Sequence, residues 1–339
     1  MNTVGKAEYI MSDGRRYIPY EERTGNESIV YFTRDLSPEG ILKAYRKVNE
    51  NIIGRVAVKL HTGEKNGPNI VPSSWVKEVF EKDPTLKGAA IVETNTYYEG
   101  DRDTTEKHRE TLKVNGWTFC PVDIMDEDGT VLLPVVGGKW FTEMSHGANM
   151  VNYDSMFVLT HFKGHTMGGF GGSNKNIGIG CADGKIGKKW IHAHTGGGQW
   201  SVAEEELMEK ITESTKATID YFQGNICYVN VMRNMSVSCD CEGVAAQPVV
   251  TPNVGILASL DICAIDTACV DLIYAMEDKD HKAMVERIET RHGHRQLEYM
   301  KELGMGNSRY VLIDLDNDEK RIYPKDAVKG VKPFKRITK

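Results

Sequence analysis

The sequence lacks most of the features that assign a class quickly. It has no basic excess: 42 lysines and arginines face 48 aspartates and glutamates, for a net charge of -6. That leaves no electrostatic footprint for nucleic acid and a poor match to an anionic membrane surface. No apolar run approaches the ~20 residues of a membrane-spanning helix. The N-terminal stretch MNTVGKAEYIMSDGRRYIPY is mixed polar without a signal-peptide core, so a cytoplasmic protein is expected. The seven cysteines are odd in number and irregularly spaced, which points to free thiols or ligands rather than a disulfide framework. There is no C-x-x-C pair, no His-Glu-x-x-His, no phosphate loop ending in Gly-Lys-Ser/Thr and no dinucleotide glycine fingerprint. Internal repeats, low-complexity tracts and clear linkers are also missing.

What is present is an ordinary globular composition, 40% hydrophobic and 27% charged over 339 residues, long enough to bury a stable core. Residues 1–26 read as a weakly paired arm. SIVYFTR is a strand, followed by a helix with Ser37 as N-cap and Pro38 in its first turn. RVAVKLH is a second strand, Ser73 and Ser74 cap a second helix, and GAAIVETNT is a third strand. This alternation predicts parallel βαβ units, hence an α/β fold with a mainly parallel sheet flanked by helices. Further on, the pattern predicts a short helix over 104–117 and strands and turns over 119–148. A buried strand follows at SMFVLT (155–160), then a helix over 201–224 capped by Ser201. NICYVNVMR is a strand and residues 262–276 an apolar helix. One helix over 281–303 and a hairpin complete the chain. Residues 1–275 are read as the core domain, with 276–339 packed on it.

The chemistry concentrates in HFKGHTMGGFGGSNKNIGIGCADGKIGKKWIHAH, from His161 to His194, which holds four of the ten histidines. The buried strand before it would deliver His161 and His165 into a mobile glycine-rich loop, as bases or metal ligands. Gly168, Gly169, Gly171 and Gly172 allow close backbone approach, and their N–H groups with Ser173, Asn174 and Lys175 could grip an anion. Cys239 and Cys241, one residue apart in a polar loop, could hold a metal with His192 and His194, or do redox work. Lys59 and His61 end one strand, and Glu93 and Asn95 end the next. Carboxyl ends of parallel strands converge on one edge, so these four are expected to share a crevice with His161. Asp266, on the apolar helix, reads as a cap or an orienting group.

The blocks VYFTRDLSPEGILKAY, VAVKLHTGE, VETNTYYEGDRDTTEKH, LTHFKGHTMGGFGGSNKNIGIGCA, NVMRNMSVSCDCEG and VGILASLDICAIDTACVDLIY resemble the bacterial and archaeal family called domain of unknown function 362. The resemblance covers most of residues 30–275. Its members are often described as iron–sulfur centre proteins, and many carry a ferredoxin-like insert after the glycine loop. Here KKWIHAHTGGGQWSV fills that place without a cysteine, so an iron–sulfur cluster could draw only on Cys239 and Cys241 of the core. The family is also distantly similar to the N-terminal half of nickel-dependent lactate racemase. The resemblance implies hydride or proton transfer on a hydroxy acid or similar anion.

The expectation is therefore an enzyme doing metal-assisted redox or isomerase chemistry on a small anionic substrate. Lys175 and the glycine N–H groups would bind the anion, with Lys59 beside the catalytic histidines. The cofactor is unnamed by the sequence, a transition metal or an iron–sulfur cluster being the candidates. The alternative is a metal or iron–sulfur carrier in electron transfer, with no substrate of its own. A redox partner and a homo-oligomer are both compatible with the sequence.

Overall fold

The computed structural model describes residues 17–194 and 197–334. The strands are β1 (Ser28–Thr33), β2 (Val56–Lys59), β3 (Ala90–Glu93), β4 (Val122–Ile124), β5 (Thr130–Pro134), β6 (Glu143–Gly147) and β7 (Ser155–His161). They continue with β8 (Lys163–His165), β9 (Gly169–Gly171), β10 (Ile226–Met232), β11 (Gly255–Ser259), β12 (Tyr310–Asp314) and β13 (Lys320–Ile322). Nine of them form one sheet in the order β13-β12-β1-β11-β10-β7-β2-β3-β4. From β10 through β7, β2 and β3 to β4 every pairing is parallel. β11 runs antiparallel to both its neighbours. The architecture is the expected α/β one, a mainly parallel sheet flanked by helices.

The central strands β2, β3, β7, β10 and β11 are buried on both faces, which is why they read as continuous apolar runs. In β7, Met156 and Val158 join one core while Phe157 and Leu159 join the other. The helices α1 (Pro38–Tyr45), α2 (Ser73–Lys82) and α3 (Thr105–Val114) cover the second face. The first face carries α4 (Ser173–Gly180), α5 (Gly187–His192), α6 (Glu204–Phe222), α7 (Ile262–Ala275) and α8 (Asp278–Thr290). No helix among the described residues is long and apolar enough to cross a membrane.

Several local expectations change. The glycine-rich stretch is not an irregular loop: β8 and β9 form a two-stranded hairpin, and α4 begins directly after it. The helix expected over 281–303 is two helices, α8 and α9 (Arg295–Glu302), broken at His292 and Gly293. The break makes room for the hairpin, since a Cβ on Gly169 would lie 2.8 Å from the Gly293 Cα. α6 starts after Ala203 rather than Ser201, whose hydroxyl instead accepts the His194 N–H at 2.9 Å. Ser73 and Ser74 lie inside the first turn of α2 and make no cap bond. Of the arm expected over 1–26, residues 1–16 lie outside the described residues. Tyr17 and Tyr20 are buried, and Arg23 pairs with Asp271 at 2.5 Å, so this part is docked rather than weakly paired. In the C-terminal segment β12 pairs with β1 and joins the main sheet.

The N-terminus of α4 is fixed from across the core. Asp266 on α7 accepts the N–H groups of Ser173 (2.8 Å) and Asn174 (2.9 Å), and the Asn230 amide donates to it at 2.8 Å. Its carboxyl is pushed up to about 6 by burial, against which those donors act. Gly172 is what lets Asp266 in, because a Cβ there would meet the carboxylate at 2.5 Å. Asp266→Ala strands buried donors, each costing about 1–3 kcal/mol. The expected loss is ~3 kcal/mol, read by denaturant unfolding; a loss under ~1 kcal/mol would contradict this account of the α4 terminus.

Candidate functional site

The carboxyl ends of β2, β3 and β7 open on a cavity of about 350 Å³. Parallel strands place their ligands at this edge. The cavity is lined by Lys59, Arg102, Lys163, Lys175 and Lys188, with Glu93 and Glu242 as the lining carboxylates. His61, His165, Asn176 and Cys241 contribute further polar atoms, and Tyr97, Tyr98, Met167, Ile179 and Trp200 supply apolar wall. A cation-rich cavity in a chain of net charge -6 is a local feature that bulk composition hides.

Two of these lysines are poorly compensated. Lys59 donates to the Leu60 carbonyl at 2.9 Å and lies 3.7 Å from Glu93. Burial holds its ammonium below the ordinary range, with Glu93 only partly opposing. Lys188, on α5, donates to the Thr94 hydroxyl at 2.7 Å and to the Asn95 carbonyl. No carboxylate among the described residues pairs with it, and burial pulls it down to about 8. Gly180 creates the space for Lys59, since a Cβ there would sit 2.1 Å from the lysine Cε. This part of the glycine run thus serves side chains packed against it. The α4 N–H groups of Ser173 and Asn174 are taken by Asp266. Gly168 donates its own N–H to His165 Nδ1 at 2.8 Å.

Glu93 is the hub of the opposite wall. It receives the Thr62 hydroxyl at 2.6 Å, the Thr62 N–H at 3.2 Å and Arg102 at 3.2 Å. His108 Nε2 lies 3.1 Å away and His61 Nδ1 3.3 Å. Burial alone would raise Glu93, but Arg102, the two histidines and Lys59 hold it well below the usual carboxylate range. A carboxylate at Nδ1 fixes the His61 tautomer, with the proton on Nδ1 and the lone pair on Nε2. That Nε2 is buried and has no hydrogen-bond partner. Burial first, then Arg102, lowers the His61 pKa, so the ring is neutral and its bare nitrogen can act as a base.

The remaining expected residues fall into distinct places. His161 is the last residue of β7, with Nδ1 2.8 Å from Asp240 and Nε2 2.6 Å from the Arg233 carbonyl. Both its nitrogens are occupied, and it does not line the cavity. Asn95 faces Asp126 and Thr105 instead of the crevice. His192 reaches the cavity wall, packed edge-on to Trp200 at 4.8 Å. His194 is more than half exposed and pairs with Glu206, apart from the thiols. Neither His192 nor His194 joins Cys239 and Cys241.

His165 does. Its ring, Cys239 and Cys241 bring ligand atoms within 4.8 Å of one another. The Lys175 ammonium sits 3.3 Å from the Cys239 sulfur, and the Cys241 N–H donates to that sulfur at 3.4 Å. The Cys241 thiol, opposed by burial and helped by Lys175 and His165, holds Cys239 well below the ordinary thiol range. Cys241 is driven up, first by its bond to Cys239 and then by burial. The group is a thiolate among donors. It suits a metal poorly. With Gly168 donating to Nδ1, the neutral His165 ring keeps its proton on Nε2, and Lys175 already places a positive charge at the sulfur. The four thiolates of an iron–sulfur cluster are not gathered here; among the described residues this trio is the grouping of three metal-ligating side chains.

Lys163, Arg102, Lys188 and the Tyr97–Trp200 rim were not singled out in the sequence. Lys188 carries no local signal, lying in a polar helical stretch. The signal for Lys163 was alternation, as it stands two residues from both His161 and His165.

No protein of curated function matches the sequence. Among solved structures, the lactate racemase apoprotein from Thermoanaerobacterium thermosaccharolyticum is 12% identical with a TM-score of 0.35, over 89% of this chain and 85% of that one. A Thermotoga maritima protein solved by structural genomics is 11% identical with a TM-score of 0.33, over 58% of this chain and 50% of that one. Residues 56–271, which carry β2, β3, β7 and β10 together with the cavity's lysines and both thiols, match one family across more than half of the chain: the chain belongs to the family described as Domain of unknown function (DUF362).

Proposed function

We propose that the protein is an enzyme that moves a proton on a small organic anion held in this cavity. The observation that carries the reading is the buried, unpartnered Nε2 of His61, oriented by Glu93, in a cavity lined by lysines and an arginine. Lys59, Lys188 and Arg102 supply positive charge for the anion and for charge developing on it. His61 removes the proton, and a neutral imidazole suits this task near pH 7. Tyr97, His192 and Trp200, in mutual ring contact at the wall, suit a substrate with a flat or apolar body. An isomerase or a proton-coupled redox enzyme both fit this arrangement.

The test needs no prior substrate. Small 2-hydroxy and 2-oxo acids are incubated with the protein in deuterated water, and exchange of the C2 proton of the hydroxy acids or the C3 protons of the oxo acids is followed by NMR. The expected result is exchange on at least one acid, lost in His61→Gln. Absence of both binding and exchange across the whole panel would overturn the reading. A metal carrier is the competing function: His165 and the two thiols do approach one another, although Gly168 and Lys175 already occupy the ring nitrogen and the sulfur. It predicts near-stoichiometric metal in anaerobically purified protein, removed by Cys239→Ser.

A further inference from the structure

We propose that Cys239 and Cys241 form a two-electron dithiol couple that reduces an anionic disulfide held in the cavity; the anionic preference rests on the proposed anion site. The two sulfurs stand in different positions. Cys241 is half-buried and lines the cavity, while Cys239 is buried behind it. Lys175 and His165, which line the cavity themselves, and the Cys241 N–H surround the Cys239 sulfur. An attacking sulfur at the wall and a resolving sulfur within reach is the arrangement thiol–disulfide exchange requires. The other buried cysteines, Cys181, Cys227, Cys263 and Cys269, stand outside this group.

The step balances with the disulfide as oxidant. The Cys241 sulfur attacks one sulfur of the substrate while its proton passes to Cys239. The substrate S–S bond breaks and the first thiolate leaves, taking that proton. Cys239, again a thiolate, attacks the Cys241 sulfur, closes the Cys239–Cys241 bond and expels the second thiolate. The substrate gains two electrons and the couple loses them. A bond closing so short a loop gains little from chain entropy, so it is readily reduced again, as a working rather than a structural disulfide must be.

The reduced protein is mixed with dithiobis(nitrobenzoate), an aromatic disulfide dianion, and with the uncharged dithiodipyridine. The expected result is a fast phase that releases two thiolates per chain, roughly tenfold faster than Cys120, the half-buried thiol elsewhere. Peptide mass should show the Cys239–Cys241 bond. Cys239→Ser should stop at one thiolate, with the probe left on Cys241, a result that unfolding does not imitate. Cys241→Ser should abolish the phase. The couple is overturned if the phase survives Cys241→Ser, if no internal bond forms, or if a tightly bound metal holds both thiols. Internal bond formation at equal rates with both probes would support the couple and overturn the anionic preference alone.

Discussion

Glu93→Ala should unfold about 4–7 °C below the parent chain, the largest loss of stability expected from a single change at the site. Removing one partner of a buried ion pair leaves an uncompensated charge, which costs about 3–5 kcal/mol. Glu93 has more than one partner to strand. Arg102 is buried beside it, Thr62 donates twice, and His61 and His108 both lean on it. With an unfolding entropy of roughly 2.1 cal/mol/K per residue, a chain of this length loses about 1.4 °C per kcal/mol. The pH dependence follows from the same contacts. The folded Glu93 pKa lies well below its ordinary value of 4.5, so the unfolded chain binds the proton first as pH falls. The stabilisation is therefore present above about 4.5 and is lost as pH drops through the folded value. Glu93→Gln should remove that part of the acid limb, giving a shallower fall of stability below pH 4.5. Scanning calorimetry across pH tests both statements; a Glu93→Ala chain within about 1 °C of the parent would refute the hub role.

The same residue shows how far the sequence could be read. Glu93 was visible as the polar end of an apolar run, and the rule that parallel strands converge at their carboxyl ends placed it with Lys59 and His61. Asn95 failed the same reasoning because the strand ends at Glu93: beyond a strand's last residue alternation no longer controls where a side chain points. The run SMFVLT was legible as a buried strand, but its extension to His161 was not. That extra residue turns the histidine into the core, where Asp240 and the Arg233 carbonyl hold it. The glycine run suggested an anion nest. The structure instead gives Gly172 to the Asp266 carboxylate and Gly180 to the Lys59 side chain. Those are contacts of 94 and 121 positions along the chain, which no local pattern encodes. Asp266 itself was legible as an orienting group. The pairing of His165 rather than His192 or His194 with the thiols was not, because it depends on the β8–β9 hairpin.

Lys188→Met should weaken binding of a small dicarboxylate such as malonate by roughly 10–100-fold, the value of one buried charged hydrogen bond. The parent chain should show a pH dependence that the variant lacks. Burial lowers Lys188 from 10.5 to about 8 in the free protein, so the ammonium that an anion needs is present at pH 7 and fades above pH 8. Malonate keeps a constant charge over that range, so any loss belongs to the protein. The dissociation constant should rise by about tenfold per pH unit above 8, more steeply if Lys59, lowered by the same burial, titrates with it. Bound anion restores the ammonium, so binding near pH 8–9 should take up a proton, visible as a buffer-dependent heat. Stability without ligand runs the opposite way. The native state sheds this proton at about 8 and the unfolded chain at about 10.5, so the unfolded chain holds more protons between them and this lysine's contribution to stability rises with pH. Opposite slopes for binding and stability, both removed by Lys188→Met, would separate a buried anion-binding lysine from a surface charge that merely steers the ligand. A surface charge would move binding alone and fade with salt, and a flat binding profile from pH 7 to 10 would place the anion away from Lys188.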